Sequence, residues 1–112
     1  MDVEKRNIMV RFPFRIGKAF LDYDWHPITI PKAHYKNLEQ QGLAEDSVSI
    51  ETPFNRMSGS IVHSRAGYGP YYQMRMDGGH SRDRLNQFKL GEQILVELER
   101  VGKSVRVTLR RA

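Results

Sequence analysis

Hydrophobic and polar residues alternate along most of this chain, in short runs. Ile8, Val10 and Phe12 share one side of a run whose other side holds Met9 and Arg11, the period-2 mark of a half-buried strand. Pro13 predicts its end or an edge position. Ile28-Thr29-Ile30 predicts a second strand, most simply paired with the first as a long hairpin with a polar tip around Asp22 and Asp24. Pro31 suits a first helical turn, where its missing N–H costs nothing. Gly42 suits the position past a helix end. A helix of two or three turns therefore lies between them, with Ala33 or Lys36, Asn37 and Leu38 near its buried side.

Val48 and Ile50 alternate with serines as a third strand, and Ser58 to His63 reads as a fourth. "SRAGYGP" is turn-rich. Tyr72, Met74 and Met76 then share one strand face, with Gln73 and Arg75 on the other. Asp77 or Ser81 can cap a second short helix that ends near Phe88. Ile94, Val96 and Leu98 predict a sixth strand, "ERVGK" a tight turn, and Val105, Val107 and Leu109 a last strand opposite Arg106, Thr108 and Arg110. Trp25, Phe12, Phe14, Phe20 and Phe88 are expected in the core or capping it.

The phrase strand–helix–strand is written twice. Asp46 and Glu92, Val48 and Ile94, and Ile50 and Val96 each lie 46 positions apart, and Leu38 and Leu85 lie 47 apart. A unit of this size cannot bury its apolar face alone, so two would close on each other about a pseudo-twofold axis. The expected fold is mainly β, a seven-stranded pseudobarrel built from two strand–helix–strand halves with two short helices. Residues 1–112 form a single β-barrel domain in this reading, with halves of about 8–51 and 58–99 and a final strand of about 104–110. Closure would remove exposed strand edges. Connections this short disfavour a purely parallel sheet.

Composition narrows the classes. A chain of 112 residues supports one modest core. Without cysteine there is no disulfide framework or thiolate metal site, and the cytoplasm is the expected location. No long apolar run predicts a membrane span, and "MDVEKRN" is too polar for a secretory signal. A formal charge of +5 and a pI near 9.7 favour a polyanionic partner, although many basic domains have none.

Catalytic signals are weak. His26, His34, His63 and His80 fall on different elements and make no metal-binding spacing. Asp22 and Asp24 beside His26 read more simply as a solvated tip than as an oriented base. Gly78-Gly79 reads as a turn into a helix rather than an anion site. No catalytic residue, metal or cofactor is expected, and a noncatalytic protein is the reading.

"ITIPK…L…GLAEDSVSIE" resembles the swapped-hairpin motif of AbrB/MazE antitoxins and transition regulators, and two such units fused look like the B3-type DNA-binding pseudobarrel. Roughly residues 8–110 also resemble domain-of-unknown-function family 1905, a double-split barrel. The matching residues are Trp25 with Ile30-Pro31, Pro53-Phe54 with Ser58, Gly69 with Tyr71 and Tyr72, and Leu90 to Glu99 with Arg106 and Val107. In B3-type domains two hairpin arms, one from each half, grip the major groove. The resemblance implies a first arm in "FRIGKAFLDYDW" with Arg15 and Lys18, though Asp22 and Asp24 there would repel phosphate. It implies a second in "HSRAGYGPYYQMR" with His63, Ser64, Arg65, Tyr68 and Arg75.

Such side chains can contact phosphates or base edges, and Tyr68, Tyr71 and Tyr72 beside arginines can stack on unpaired bases. Arg82 and Arg84 on the second helix, and the arginines crowding the last hairpin, form a further candidate surface. There Glu97 and Glu99 offer an ordinary mixed-charge sheet face as the simpler reading. Duplex DNA is the expected partner. A small-ligand barrel with an enclosed Tyr- and Met-lined pocket, and a protein-interaction module with an apolar patch, stay open as alternatives.

Overall fold

The structure is a computed structural model, and it describes residues 8–67, 69–77 and 88–111. Strands β1 (Ile8–Arg15), β2 (Ile28–Thr29), β3 (Val48–Glu51), β4 (Arg56–Ala66), β5 (Gly69–Met76), β6 (Gln93–Val101) and β7 (Ser104–Arg111) form one mixed sheet. Their order is β1-β6-β7-β3-β4-β5-β2. Every pairing is antiparallel except β3 with β7. The fold is the expected seven-stranded, mainly β arrangement.

Alternation decides which face is inside. Val10 and Phe12 on β1, Ile94, Val96 and Leu98 on β6, and Val105, Val107 and Leu109 on β7 all point into one core. Val48 and Ile50, Ile61, and Tyr72, Met74 and Met76 complete it from β3, β4 and β5. A helix, α2 (Tyr35–Gln41), follows one 3-10 turn at residues 32–34 and buries Leu38 against this core. It ends where expected: Gly42, at φ +61°, donates its N–H to the carbonyls of Leu38 and Glu39. Arg100 reaches back to the carbonyls of Gln41 and Gly42 at 2.9 and 2.8 Å, satisfying acceptors that a helix end leaves open.

Strands distant in sequence pair with one another. β1 lies on β6, with Phe12 opposite Val96 and Phe14 opposite Ile94. β3 lies on β4, with Ile50 opposite Met57 and Val48 opposite Gly59. Between them, Ile28 on β2 faces Met74 on β5. Two further bonds flank that pair, Ile30 N–H to Tyr72 O at 3.0 Å and Met76 N–H to Trp25 O at 2.7 Å. Strict register would bring Met76 to His26, so one residue is bulged there. His26 takes the unusual φ of 41°, with its buried Nδ1 2.6 Å from the carbonyl oxygen of Phe20.

Two expectations need correction. β1 and β2 do not pair as a hairpin, because residues 18–22 coil into a short helix, α1 (Lys18–Asp22), that plugs Phe20 into the core beside Phe88. Burying that ring competes successfully with extending the strand. Nor do hydrogen bonds close the sheet among the described residues: β1 and β2 end it without pairing with each other. Phe14, Phe20, Phe54 and Phe88 instead form a chain of ring contacts, at centroid distances of 4.9–6.2 Å. The predicted second helix, including the residues between Gly78 and Asn86, lies outside the described residues. Among the described residues no helix is long and apolar enough to cross a membrane.

Candidate nucleic-acid interface

Basic residues occupy two surfaces with different electrostatics. On the outer face of β1, β6 and β7 the arginines meet carboxylates. Glu97 is fully buried, directly across from Arg11. It accepts from Arg11 at 2.8 and 2.9 Å and from Arg110 at 3.4 Å. Glu99 lies opposite Arg106 and accepts from it at 3.0 Å. Glu51 pairs with Arg56 at 3.1 Å. Arg111 holds Glu92 at 2.9 Å while its guanidinium covers the Phe54 ring at 4.9 Å. The backbone N–H of Lys89, followed by Arg111, holds the Glu92 carboxyl below its usual range. This face is a cross-strand charge ladder, as the simpler reading expected.

The β4–β5 hairpin is different. β4 pairs with β3 only through residues 56–59, and β2 reaches β5 only at Gln73 and Met74. Among the described residues, the two strands pair only with each other from Ser64–Tyr71 outward, so the hairpin extends past the rest of the described sheet. Register places His63 and Arg65 on one face of this arm, and Ser64, Tyr71, Gln73 and Arg75 on the other. Arg65 is exposed, and among the described residues no carboxylate forms a salt bridge with it or with Arg75. Arg75 is oriented by a 2.8 Å bond from its Nε to Gln73 Oε1. His63 stacks on Tyr72, with ring centroids 4.5 Å apart.

Gly59 lets β4 pack tightly between β3 and β5. A Cβ there would collide with the backbone carbonyl of Arg75 and with Ile50, so the close crossing of β4 over β3 and β5 requires glycine.

The remaining sequence candidates scatter. Arg15 sits at the end of β1, donating to the carbonyl of Gly91 at 3.2 Å, and Lys18 opens α1 in solvent. They do not form a hairpin arm, since the segment that carries them runs into α1. Tyr68, Arg82 and Arg84 lie outside the described residues. Tyr72 is no stacking platform: it is buried, packs edge-on against Tyr35 at 5.1 Å and donates to Glu39 at 3.2 Å. Burial first, then that hydrogen bond, raises its phenol pKa.

A feature the sequence reading missed lies beside the hairpin. Tyr23, Trp25 and Pro27 form one wall of an open groove of about 500 Å³, and Tyr71, Gln73 and Arg75 form the other. Tyr23 and Trp25 stack with ring planes 11° apart and centroids 4.7 Å apart, and remain 49% and 42% exposed. Trp25 is therefore not a core residue. The alternation Tyr23-Asp24-Trp25-His26-Pro27 carried the signal, since it faces aromatics one way and His26 into the core. Among the described residues no group of three or more histidine or acidic side chains is placed to hold a metal ion.

No protein-family model matches the chain, and no curated protein matches it in sequence. Solved structures do match in shape. The chain is similar to Arabidopsis FUS3, solved in a complex with DNA, with a TM-score of 0.55 and 14% identity, covering 95% of this chain and 99% of that one. The two chains share a fold over almost their whole length. The N-terminal domain of Helicobacter pylori LlaJI.R1 also matches, with a TM-score of 0.47 and 16% identity, over 89% of this chain and 79% of that one.

Proposed function

We propose that this chain is a noncatalytic DNA-binding module that engages duplex DNA through the β4–β5 hairpin. The observation that carries the reading is an arm that extends beyond the rest of the described sheet, bearing Arg65 with no carboxylate partner among the described residues. The shared fold supports it, because the FUS3 structure of similar shape was solved with DNA. Arg65 and Arg75 supply cations for phosphates or guanine edges, and His63 and Ser64 add hydrogen-bonding groups. Arg15 and Lys18 are accessory phosphate contacts from the neighbouring segment. Tyr68, Arg82 and Arg84 belong to the proposal on sequence grounds alone.

Fluorescence anisotropy with a labelled random-sequence duplex and its matched single strand, at low and moderate salt, tests the reading. Duplex binding that weakens steeply with salt is the expected result, because phosphate contacts release counterions. Absence of duplex binding at low salt would overturn it.

A further inference from the structure

The groove beside the hairpin is built unlike a phosphate track. Its walls offer two stacked aromatic rings with exposed outer surfaces, a proline, a tyrosine, an amide and a guanidinium. None of the residues lining it is acidic. Rings held at 11° to one another present flat faces suited to a further planar ring, and stacking on such faces tolerates any base. Arg75 sits at the same groove with Gln73 fixing its Nε side, and among the described residues its remaining N–H groups form no salt bridge, so they can meet an anion. A planar aromatic ring tethered to an anionic group matches that chemistry, and a nucleotide is such a ligand. The volume, about 500 Å³, is within the range of small-molecule sites.

We infer that this groove captures an unpaired base of a nucleic-acid strand, stacking it on the Tyr23–Trp25 pair while Arg75 holds the adjoining phosphate. The inference rests on the nucleic-acid reading above and shares Arg75 with it, yet it concerns the groove beside the hairpin and a different substrate form. Duplex contacts from the hairpin position the strand, and an extrahelical or single-stranded nucleotide enters the groove. Arg75 discriminates against cationic ligands, which would otherwise suit an aromatic wall.

Trp25 is the only tryptophan in the chain, so its fluorescence reports the site directly. The experiment titrates the full chain with a perfect duplex, the same duplex carrying one bulged nucleotide, a short single strand and a proline-rich peptide. Both anisotropy of the labelled nucleic acid and Trp25 emission are read. The expected result is quenching of Trp25 by the bulged duplex and the single strand but not by the perfect duplex. Affinity for the bulged duplex should be about tenfold tighter than for the perfect one. Trp25→Ala should erase that preference while leaving perfect-duplex affinity unchanged. Because quenching is read on the unaltered chain, the outcome does not depend on that variant folding.

Equal affinity for bulged and perfect duplex without quenching would overturn the groove assignment and leave the duplex reading standing. Quenching by the single strand without duplex binding would do the reverse. Quenching by the proline-rich peptide alone would overturn the assignment in favour of a protein ligand.

Discussion

Two arginine-bearing surfaces on this chain invite opposite uses. Over β6 and β7, Arg11, Arg106, Arg110 and Arg111 lie against Glu97, Glu99 and Glu92. On the β4–β5 hairpin, Arg65 and Arg75 meet no carboxylate among the described residues. A net charge of +5 does not distinguish them. What separates them is strand register: β6 places glutamates across from Arg11 and Arg106, whereas β4 and β5 place serine, proline and tyrosine across from Arg75, Arg65 and Ser64. The first surface uses its charge to build the sheet, whereas among the described residues the second pairs its charge with no carboxylate.

The contrast breaks most readily at Glu97. Its carboxylate is fully buried while Arg11 and Arg110 remain 55% and 53% exposed. Glu97→Ala removes the buried centre of the ladder, and urea unfolding should show a loss of about 3 kcal/mol. Duplex affinity measured where the variant is folded should not change. A loss below about 0.5 kcal/mol would show that the ladder holds nothing together.

Next comes the hairpin. Arg65→Ala should weaken duplex binding by about 1–3 kcal/mol where it reads a base edge, with stability within about 0.5 kcal/mol of the parent. Anisotropy and thermal melting on the same preparation separate the two effects. The reverse pattern, lost stability with intact binding, would place Arg65 among the structural arginines.

Arg110→Ala is the complementary control. Glu97 keeps Arg11, and Arg110 is half exposed, so the stability loss should stay below about 1 kcal/mol. A drop in duplex affinity as large as that of Arg65→Ala would erase the distinction between the surfaces.

The smallest expected effect is a pH dependence at Glu92. Its folded-state pKa is lowered, chiefly by the Lys89 N–H and then by Arg111. Its contribution is therefore fully present above the unfolded carboxylate pKa, near 4.3, and is lost as pH falls through the lower folded value. Glu92→Gln should flatten the acid limb of stability against pH and lower the neutral plateau by the same small amount. An unchanged acid limb would contradict the assignment.

These variants probe what alternation could and could not convey. Strand faces were legible because a period of two sorts residues locally: Val105, Val107 and Leu109 went inward and Arg106 and Arg110 outward, as expected. Gly42 was legible as a helix end for a similar local reason. Pairing between strands distant in sequence was not. Ile28 was expected to face β1, yet it faces Met74, because sealing the core with Phe20 forces α1 between β1 and β2. That choice depends on contacts with Phe88, distant in sequence. Trp25 was misread for the same reason, since large aromatics are placed in the core by default until a bulge such as that at His26 turns them outward. Arg65 and Arg75 were named from the resemblance to B3-type arms, while the groove joining Arg75 to Trp25 needed the β2–β5 register to become visible.

The most direct test of the account is the salt dependence of duplex binding for the parent chain, Arg65→Ala and Arg110→Ala, measured side by side. The account predicts steep and matching slopes for the parent and Arg110→Ala, and a slope shallower by about one for Arg65→Ala if that side chain contacts phosphate, or an unchanged slope with weakened affinity if it reads a base. No duplex binding at low salt, or equal losses in the two variants, would contradict it.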